Sequence, residues 1–551
     1  MSESLGNAEP RASRVLKALR LERPLSILEL AVALAGLGCV ALLALAPRIQ
    51  HGGFNLDDWS NASNALNPPG PANFWHAVSA FATFTLYRPV LVIYVPLTYF
   101  VFGMHMHYHL AWAAVLSILA ATMFYGVLRT LDVPWIHAAL ISALTIVFPW
   151  SDSTRLWATA GLVDLSVVFM FAGVLIALQG LRRRSWRWHA LAVLFYLLSI
   201  LTYELTLPLV VCVGALYCFR AGWQAARWRW LADLVVAVVA GLWVWANTVK
   251  TTSGISGDLS HLGEIVKGGG TLVGRAGYPL GSPETTVVLV AIAAVLYLGF
   301  CAHLGFPDRF ETRPGWSLRG WLALTTGGLL LAALGWVMLI PANPYYTPSV
   351  VAEVNRVNGL AAFGLVLAVY GSLGIVSSLI CQAGVRGRFV ATAMTVLLGA
   401  VLLVSYTHVL RRHIQLWDAA YEAEAVAINK TKQEFPHLPP GATVFAGSYP
   451  AYQAPGVPIL SSTWDYLGML RMEYHDSSLS GYPILSWLHL ACRTESVVLE
   501  REGTLEATGP YGAARLLNLA TGAHSAPKNQ AQCKRVVGQY VPGPPYLSET
   551  Y

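Results

Sequence analysis

The sequence predicts an all-α polytopic membrane protein with a small α+β domain at its C-terminal end. Of its 551 residues, 55% are hydrophobic and only 12% are charged, whereas a soluble protein carries about 25% charged residues. Several apolar runs reach the ~20 residues that a helix needs to cross the hydrocarbon core of a bilayer. Residues 409–551, in contrast, are polar and rich in Pro, Gly and Tyr.

The N-terminal segment, residues 1–24, is basic and is followed by an apolar run over 25–47. No convincing small-residue cleavage site follows that run, so we predict a first transmembrane helix rather than a cleavable signal. Its positive charge places the segment in the cytoplasm. Residues 50–106 then form the first external loop.

Within that loop, residues 73–103 are apolar enough to raise the question of a second span. The most apolar part, Val90 to Phe102, is short and is interrupted by Pro96. If it crossed the membrane, every later Arg cluster would face outward, against the positive-inside bias. We therefore predict juxtamembrane helices that lie along the outer membrane surface.

With this segment outside, the sequence predicts about eleven spans, a cytoplasmic N-terminus and an extracytoplasmic C-terminus. Arg411 and Arg412 oppose this topology, because they follow the last span on the outer side. The predicted transmembrane domain covers residues 25–408, with spans near 25–47, 107–128, 134–149, 162–180, 189–202, 205–219, 231–249, 285–303, 320–340, 358–380 and 389–408.

The C-terminal domain, residues 409–551, begins with a predicted helix over 415–434. Thr443–Ala446 and Ser496–Leu499 have the β-branched and apolar composition of short strands. Cys492 and Cys533 lie in this part, and an oxidising compartment permits a disulfide between them; the sequence leaves both the bridge and free thiols open.

The formal net charge of +7 does not indicate nucleic acid binding, because most Arg residues lie in short loops between spans, where they set topology. No nucleic-acid-binding motif is present, and no Cys or His spacing predicts a zinc site.

The strongest candidate for chemistry is the pair Asp57-Asp58, at the exit from the first span. Adjacent carboxylates repel, so one tends to hold its proton, which suits a general base that takes a proton from a hydroxyl. The pair also suits Mg²⁺ or Mn²⁺ through oxygen ligands, although no further ligands are evident. The alternative is a solvated turn at a helix end. We favour Asp58 as the base, with Asp57 second.

Tyr87-Arg88-Pro89-Val90 is the second candidate. The planar guanidinium of Arg88 suits a phosphate, and the alternative is an interface anchor whose charged end reaches water.

These motifs occur in an order that is similar to that of the GT-C superfamily of integral membrane glycosyltransferases, which includes the protein O-mannosyltransferases. The likeness covers about the first 220 residues; from 230 to 408 only the layout agrees, and the C-terminal domain has no counterpart. Val90 replaces the usual Leu, and Tyr203 replaces the usual Lys, so the charge role of that position is open. The motifs are Asp57-Asp58, Tyr87-Arg88-Pro89-Val90, Phe102-Gly103, His109-Leu110, Phe148 to Asp164, and Leu201 to Leu205 with Pro208.

The resemblance implies an inverting glycosyltransferase that uses a sugar on a polyprenyl phosphate and acts on a cell-envelope glycan, lipid or protein outside the cytoplasm, in an inner or plasma membrane. One acid of the pair would deprotonate the acceptor hydroxyl. The leaving lipid phosphate would need cations, for which Arg88, Arg155 and Arg356 are the candidates. The predicted substrate-binding residues are Trp59, Tyr87, His109, Asp152, Asp164 and Glu204.

The main alternative function is a transporter or flippase of lipid-linked or polar substrates. Such a protein would carry ionisable residues in the middle of its spans and an internal repeat, and neither is clear in the sequence. A non-catalytic scaffold is a third hypothesis, but it does not require Asp57-Asp58 and Arg88 together.

Overall fold

The structure, a computed structural model, describes residues 27–68, 70–248, 261–279, 317–343, 345–381 and 385–548. The predicted cytoplasmic segment 1–24 and the predicted span near 285–303 lie outside these ranges.

The described chain is mostly helical, with its strands confined to the C-terminal part. The helices, in chain order, are α1 Ile27–His51, α2 Asp57–Leu66, α3 Phe74–Thr85, α4 Pro89–Phe102, α5 Met106–Thr130, α6 Trp135–Val147, α7 Ser153–Leu156, α8 Leu162–Arg182, α9 Trp186–Thr202, α10 Leu207–Ala221, α11 Trp223–Thr248, α12 Leu262–Gly277, α13 Leu318–Val337, α14 Gly359–Ile380, α15 Val385–Glu434, α16 Thr463–Glu473 and α17 Gln530–Val536.

Eight helical segments in the described ranges are long and apolar enough to cross a membrane, which is compatible with a multi-pass membrane protein. The predicted spans at 134–149 and 189–202 correspond to the shorter apolar helices α6 and α9. The count of eleven spans stays a prediction. The eight segments are Ile27–His51, Met106–Thr130, Thr159–Arg182, Glu204–Ala221, Trp223–Thr248, Leu318–Val337, Val354–Ile380 and Phe389–Glu434.

Residues 73–103 form two short helices, as predicted, rather than one long helix. Pro89 begins α4 at the first helical position, where its missing N–H is not needed. Gly103 follows the helix with φ +56°, a conformation that glycine adopts without the strain of a side chain. The helix buries Leu91, Val95 and Tyr99, so one side of α4 packs against the rest of the protein.

The longest element, α15, is a continuous helix of 50 residues. The predicted last span at 389–408 and the predicted helix at 415–434 are therefore parts of one helix, and the predicted domain boundary at 408 falls inside it. At a rise of about 1.5 Å per residue, such a helix is roughly 75 Å long. It connects the C-terminal part to the helical bundle without an intervening loop.

The C-terminal part is α+β. Strands β1, β4 and β8 run parallel to one another, while β5, β6 and β7 form a separate antiparallel sheet. The two predicted strands are confirmed, since they lie within β1 and β6. The strands are β1 Thr443–Gly447, β2 Tyr452–Ala454, β3 Val457–Pro458, β4 Ser480–Pro483, β5 His489–Cys492, β6 Ser496–Arg501, β7 Thr504–Pro510, β8 Ala514–Asn518 and β9 His524–Ser525.

A disulfide joins Cys492 at the end of β5 to Cys533 in α17, with a Cα–Cα distance of 5.9 Å. Of the two states that the sequence left open for these cysteines, the structure has the bridge. The bridge joins two residues that are 41 positions apart in the sequence, and it fixes α17 against the antiparallel sheet.

The C-terminal part also contacts the bundle through α16, which packs against α2. Gly468 lies at this crossing, and a Cβ atom there would overlap the backbone of Trp59 and Ser60. Only a residue without a side chain permits so close an approach. The two helices therefore lie together with almost no space between their backbones.

Candidate functional site

A cavity of about 540 Å³ lies where α2, α4 and α16 meet the ends of the long helices. Its wall combines residues from both parts of the chain, because α16 belongs to the C-terminal part. Five predicted site residues line it: Asp57, Tyr87, Arg88, Glu204 and Arg356.

Asp57 and Asp58 occupy the first turn of α2, where the unpaired N–H groups and the helix dipole favour negative charge. The preceding residue, Leu56, has φ +49° and ψ −126°, a backbone conformation that is strained for a residue with a side chain. This sharp turn starts the helix and directs its first residues toward the cavity.

The two carboxylates point in different directions, because successive residues of a helix are about 100° apart. Asp57 lines the cavity and accepts a hydrogen bond of 2.7 Å from the Trp464 indole N–H. Asp58 is fully buried. It accepts hydrogen bonds from the Thr159 N–H at 2.8 Å, the Thr159 hydroxyl at 2.5 Å and the Asn55 N–H at 3.1 Å. This placement favours Asp57 over Asp58 as a base, the reverse of the preference drawn from the sequence.

Burial acts on both acids. It raises the pKa of Asp57, while the positive charge of Arg356 and the Trp464 N–H lower it. Burial raises the pKa of Asp58 to about 7, against the hydrogen bonds from Thr159 and Asn55, which lower it. Asp57 is thus a carboxylate with increased basicity at a cavity wall, and Asp58 is a fully buried carboxylate next to it in sequence.

The buried Asp58 makes stability depend on pH. Its pKa is about 7 in the folded protein and about 3.9 when unfolded, so the folded state holds its proton more tightly. The stabilisation is complete below pH ~4 and is lost as pH rises through ~7. We expect the unfolding midpoint of the purified protein to fall over this range, and less steeply in Asp58→Asn, whose side chain does not ionise. An equally steep slope in the variant would contradict the assignment.

Arg356 presents a positive charge to the same cavity. Its Nη1 donates to the Glu353 carbonyl at 2.8 Å, and its guanidinium lies over the rings of Trp157 and Tyr346, 5.0 and 5.8 Å from their centroids. Among the described residues it forms no ion pair within 4.0 Å. The carboxylates of Asp57 and Glu353 act on its charge from beyond ion-pair distance, so no carboxylate of the described residues contacts the guanidinium directly.

Arg88 differs, because Glu204 already balances its charge. The guanidinium donates two hydrogen bonds to this carboxylate, at 2.8 and 2.5 Å, and lies 3.9 Å from the ring centroid of Tyr203 and 4.9 Å from that of Tyr87. The structure thus joins two residues from separate predicted motifs into one pair at the cavity wall. Arg88 therefore has a carboxylate in direct contact, whereas Arg356 has none within 4.0 Å among the described residues.

Two other predicted polar residues are buried in a network next to the cavity. Asp152 accepts from the Asn355 side-chain amide at 2.7 Å and pairs with His413 at 2.5 Å. Arg155 donates to the Phe148 carbonyl at 2.5 Å. These contacts hold the loop between α6 and α8 in place.

Trp59 and His109 also have structural partners. The Trp59 indole donates to Glu424 of α15 at 2.8 Å, and His109 contacts the Gly103 carbonyl at 3.0 Å. The predicted site residues that the structure places outside the cavity wall are Asp58, Trp59, His109, Asp152, Arg155 and Asp164.

The cavity also contains residues that the sequence did not single out. Trp464 and Arg471 come from α16, and Asn61 and Asn64 come from the cavity-facing side of α2. No local motif marks Trp464, since its contact with Asp57 joins residues 407 positions apart.

The carboxylate pair does not fit a metal ion. Asp57 and Asp58 diverge, and the Asp58 oxygens accept N–H and O–H hydrogen bonds. Across the described ranges, no group of three or more His, Cys, Asp or Glu residues is close enough to hold a metal. We therefore assign no step of the chemistry to Mg²⁺ or Mn²⁺.

No protein-family model matches the chain, and no curated protein matches its sequence. The likeness to GT-C enzymes thus depends on the order of the motifs alone.

Proposed function

We propose that this protein is an inverting glycosyltransferase that moves a sugar from a polyprenyl-phosphate donor to an acceptor hydroxyl on the extracytoplasmic side of the membrane. The observation that carries this proposal is one cavity wall that holds both a carboxylate of raised pKa, Asp57, and the guanidinium of Arg356, which makes no ion pair within 4.0 Å among the described residues. An inverting transfer requires one base and a stabilised leaving group, and these two residues supply both.

In the proposed mechanism, the carboxylate of Asp57 takes the proton of the acceptor hydroxyl. The hydroxyl oxygen forms a bond to the anomeric carbon as the bond from that carbon to the phosphate oxygen breaks. The electron pair stays on the lipid phosphate, whose negative charge the guanidinium of Arg356 stabilises. Configuration at the anomeric carbon inverts, because attack and departure occur on opposite faces.

The apolar part of the cavity supports a lipid-linked donor. Leu91 and Val95 of α4, Val244 near the end of α11, and Leu339 after α13 contribute to the wall. All come from apolar helices or their ends, so the cavity has an apolar side next to its charged side. A polyprenyl-phosphate donor likewise has a charged head group and an apolar chain, which match the charged and the apolar side of the cavity.

The Arg88–Glu204 pair has a different role in this proposal. It is electrically balanced and held between the rings of Tyr87 and Tyr203. Its two side chains keep hydrogen-bonding atoms on the wall at fixed positions, where they orient the sugar hydroxyls of the donor.

The test uses the purified full-length protein in lipid nanodiscs with synthetic polyprenyl-phosphate pentoses and hexoses and soluble saccharide acceptors. We expect a new glycosidic bond whose anomeric configuration, determined by NMR, is opposite to that of the donor. Retention of configuration, or the absence of any new glycosidic bond, would contradict the proposal. Movement of labelled donor between leaflets without glycosidic bond formation would instead support the flippase alternative.

A further inference from the structure

One side of α16 faces the cavity. Trp464, Leu467, Gly468 and Arg471 all line it, and their spacing of three, four and seven residues places them on one face of a helix. This face belongs to the C-terminal part of the chain, outside the segments that resemble known enzymes.

Opposite it, α2 presents a face with the same spacing, made of Asp57, Ser60, Asn61 and Asn64, all on the cavity wall. The two helices touch at Gly468, where a side chain would overlap the backbone of α2. Both faces border the same cavity, and the surface that they form there, the α2–α16 groove, has a carboxylate and amides on one side and an indole and a guanidinium on the other.

The chemistry of the groove is that of a saccharide site. Trp464 is 48% exposed, and a rigid aromatic ring with one polar edge packs well against the apolar face of a sugar ring. Its N–H is already used by Asp57, so the indole is held in position. The Asn61 amide already donates to the Thr159 hydroxyl at 3.0 Å, which holds it in place, and the Asn64 amide can both donate and accept hydrogen bonds, as ring hydroxyls require.

Arg471 extends the groove. Its Nε donates to the Leu479 carbonyl at 2.9 Å, and it forms no ion pair with any described carboxylate within 4.0 Å. Arg471 is seven residues from Trp464, which is about two helical turns or roughly 10 Å along the axis, so this face of α16 is longer than a single sugar ring.

We propose that the α2–α16 groove binds the acceptor as a saccharide of at least two units, with one ring stacked on Trp464 and a hydroxyl directed at Asp57. The role of this saccharide as the acceptor rests on the proposed function, whereas the binding of a saccharide in the groove does not.

The experiment measures saccharide binding to the full-length protein in nanodiscs by saturation-transfer NMR, without donor. The ligands are short oligosaccharides of neutral pentoses, neutral hexoses and hexuronic acids. We expect at least one class to bind, and Trp464→Ala to weaken that binding by about tenfold, the size of one lost aromatic contact. Trp464→Phe retains a ring and should recover most of the affinity.

Trp487→Ala is the matched control, because Trp487 is another half-exposed indole of the C-terminal part, 39% exposed, and does not line the cavity. It should bind as the native protein does. The unfolding midpoint of each variant shows that the fold is retained.

Two results would overturn the groove assignment: no saccharide class binds, or Trp464→Ala and Trp487→Ala bind equally well. Failure of the proposed function looks different, since saccharide binding would then depend on Trp464 while no glycosidic bond forms in the presence of donor.

Discussion

Asp57→Asn should reduce glycosyl transfer by roughly 10²–10⁴-fold, the contribution of a positioned general base, while the protein keeps its fold. The amide retains the size of the side chain and can still accept the Trp464 N–H, but it cannot take a proton. The loss should therefore appear in kcat, measured with saturating polyprenyl-phosphate sugar, with little change in the KM for the acceptor.

The matched control is Asp58→Asn, one residue further along α2. Asp58 does not line the cavity, so its replacement should lower the unfolding midpoint and change kcat much less. The opposite pattern, with full activity in Asp57→Asn and a loss in Asp58→Asn at an unchanged midpoint, would return the base to Asp58. Equal and small effects in both variants would remove the carboxylate mechanism.

The pH dependence of the reaction gives an independent check on the same group. Burial raises the pKa of Asp57, and Arg356 and Trp464 only partly oppose it. Transfer should therefore fail on the acid side at a pH above the ordinary carboxyl range. The residual activity of Asp57→Asn should lack this acid limb.

Much of the helical layout could be predicted because apolar runs are a local property of the sequence. The start of α4 followed from Pro89, whereas Pro96, which was expected to interrupt the apolar run, lies inside the continuous helix α4. The continuity of α15 could not be predicted, because its sequence changes from apolar to polar near residue 408, and a composition change resembles a domain boundary. The structure shows that the helix continues through this change, since Val385–Glu434 is one helix.

Part of the cavity lining was predicted for the same reason. Asp57 and Arg88 follow local motifs, but the choice between Asp57 and Asp58 depends on the rotation of α2 about its axis. Asp152 and Arg155 have the polarity and position of site residues, yet their partners bury them. Trp464 lies 407 residues from the carboxylate that it contacts, so no local pattern predicts this contact.

A second variant, Arg48→Met, should have the largest effect on stability. Arg48 is in the last turn of α1 and is 1% exposed. Its guanidinium pairs with Asp418 of α15 at 2.8 Å and donates to the Leu156 carbonyl at 2.9 Å and the Asn55 side chain at 2.6 Å. One side chain thus joins α1, α15 and the turn that begins α2.

Methionine has a similar volume but no hydrogen-bond donors. The carboxylate of Asp418, which is only 18% exposed, would therefore lose its charged partner. Breaking a buried pair on one side costs about 3–5 kcal/mol. We expect a correspondingly lower unfolding midpoint in detergent. Transfer should fall as well, because Asn55 also donates its N–H to Asp58 and its position fixes the start of α2.

Two controls separate the buried charge from a general loss of an ion pair. Arg129→Met removes a more exposed pair with Glu29, in which the side chains are 25% and 30% exposed, and should cost no more than about 1 kcal/mol. Asp418→Asn added to Arg48→Met removes the stranded charge and should restore part of the stability. If the second substitution instead lowers stability further, the Arg48–Asp418 pair does not connect the two helices in the way described, and α2 is held by other contacts.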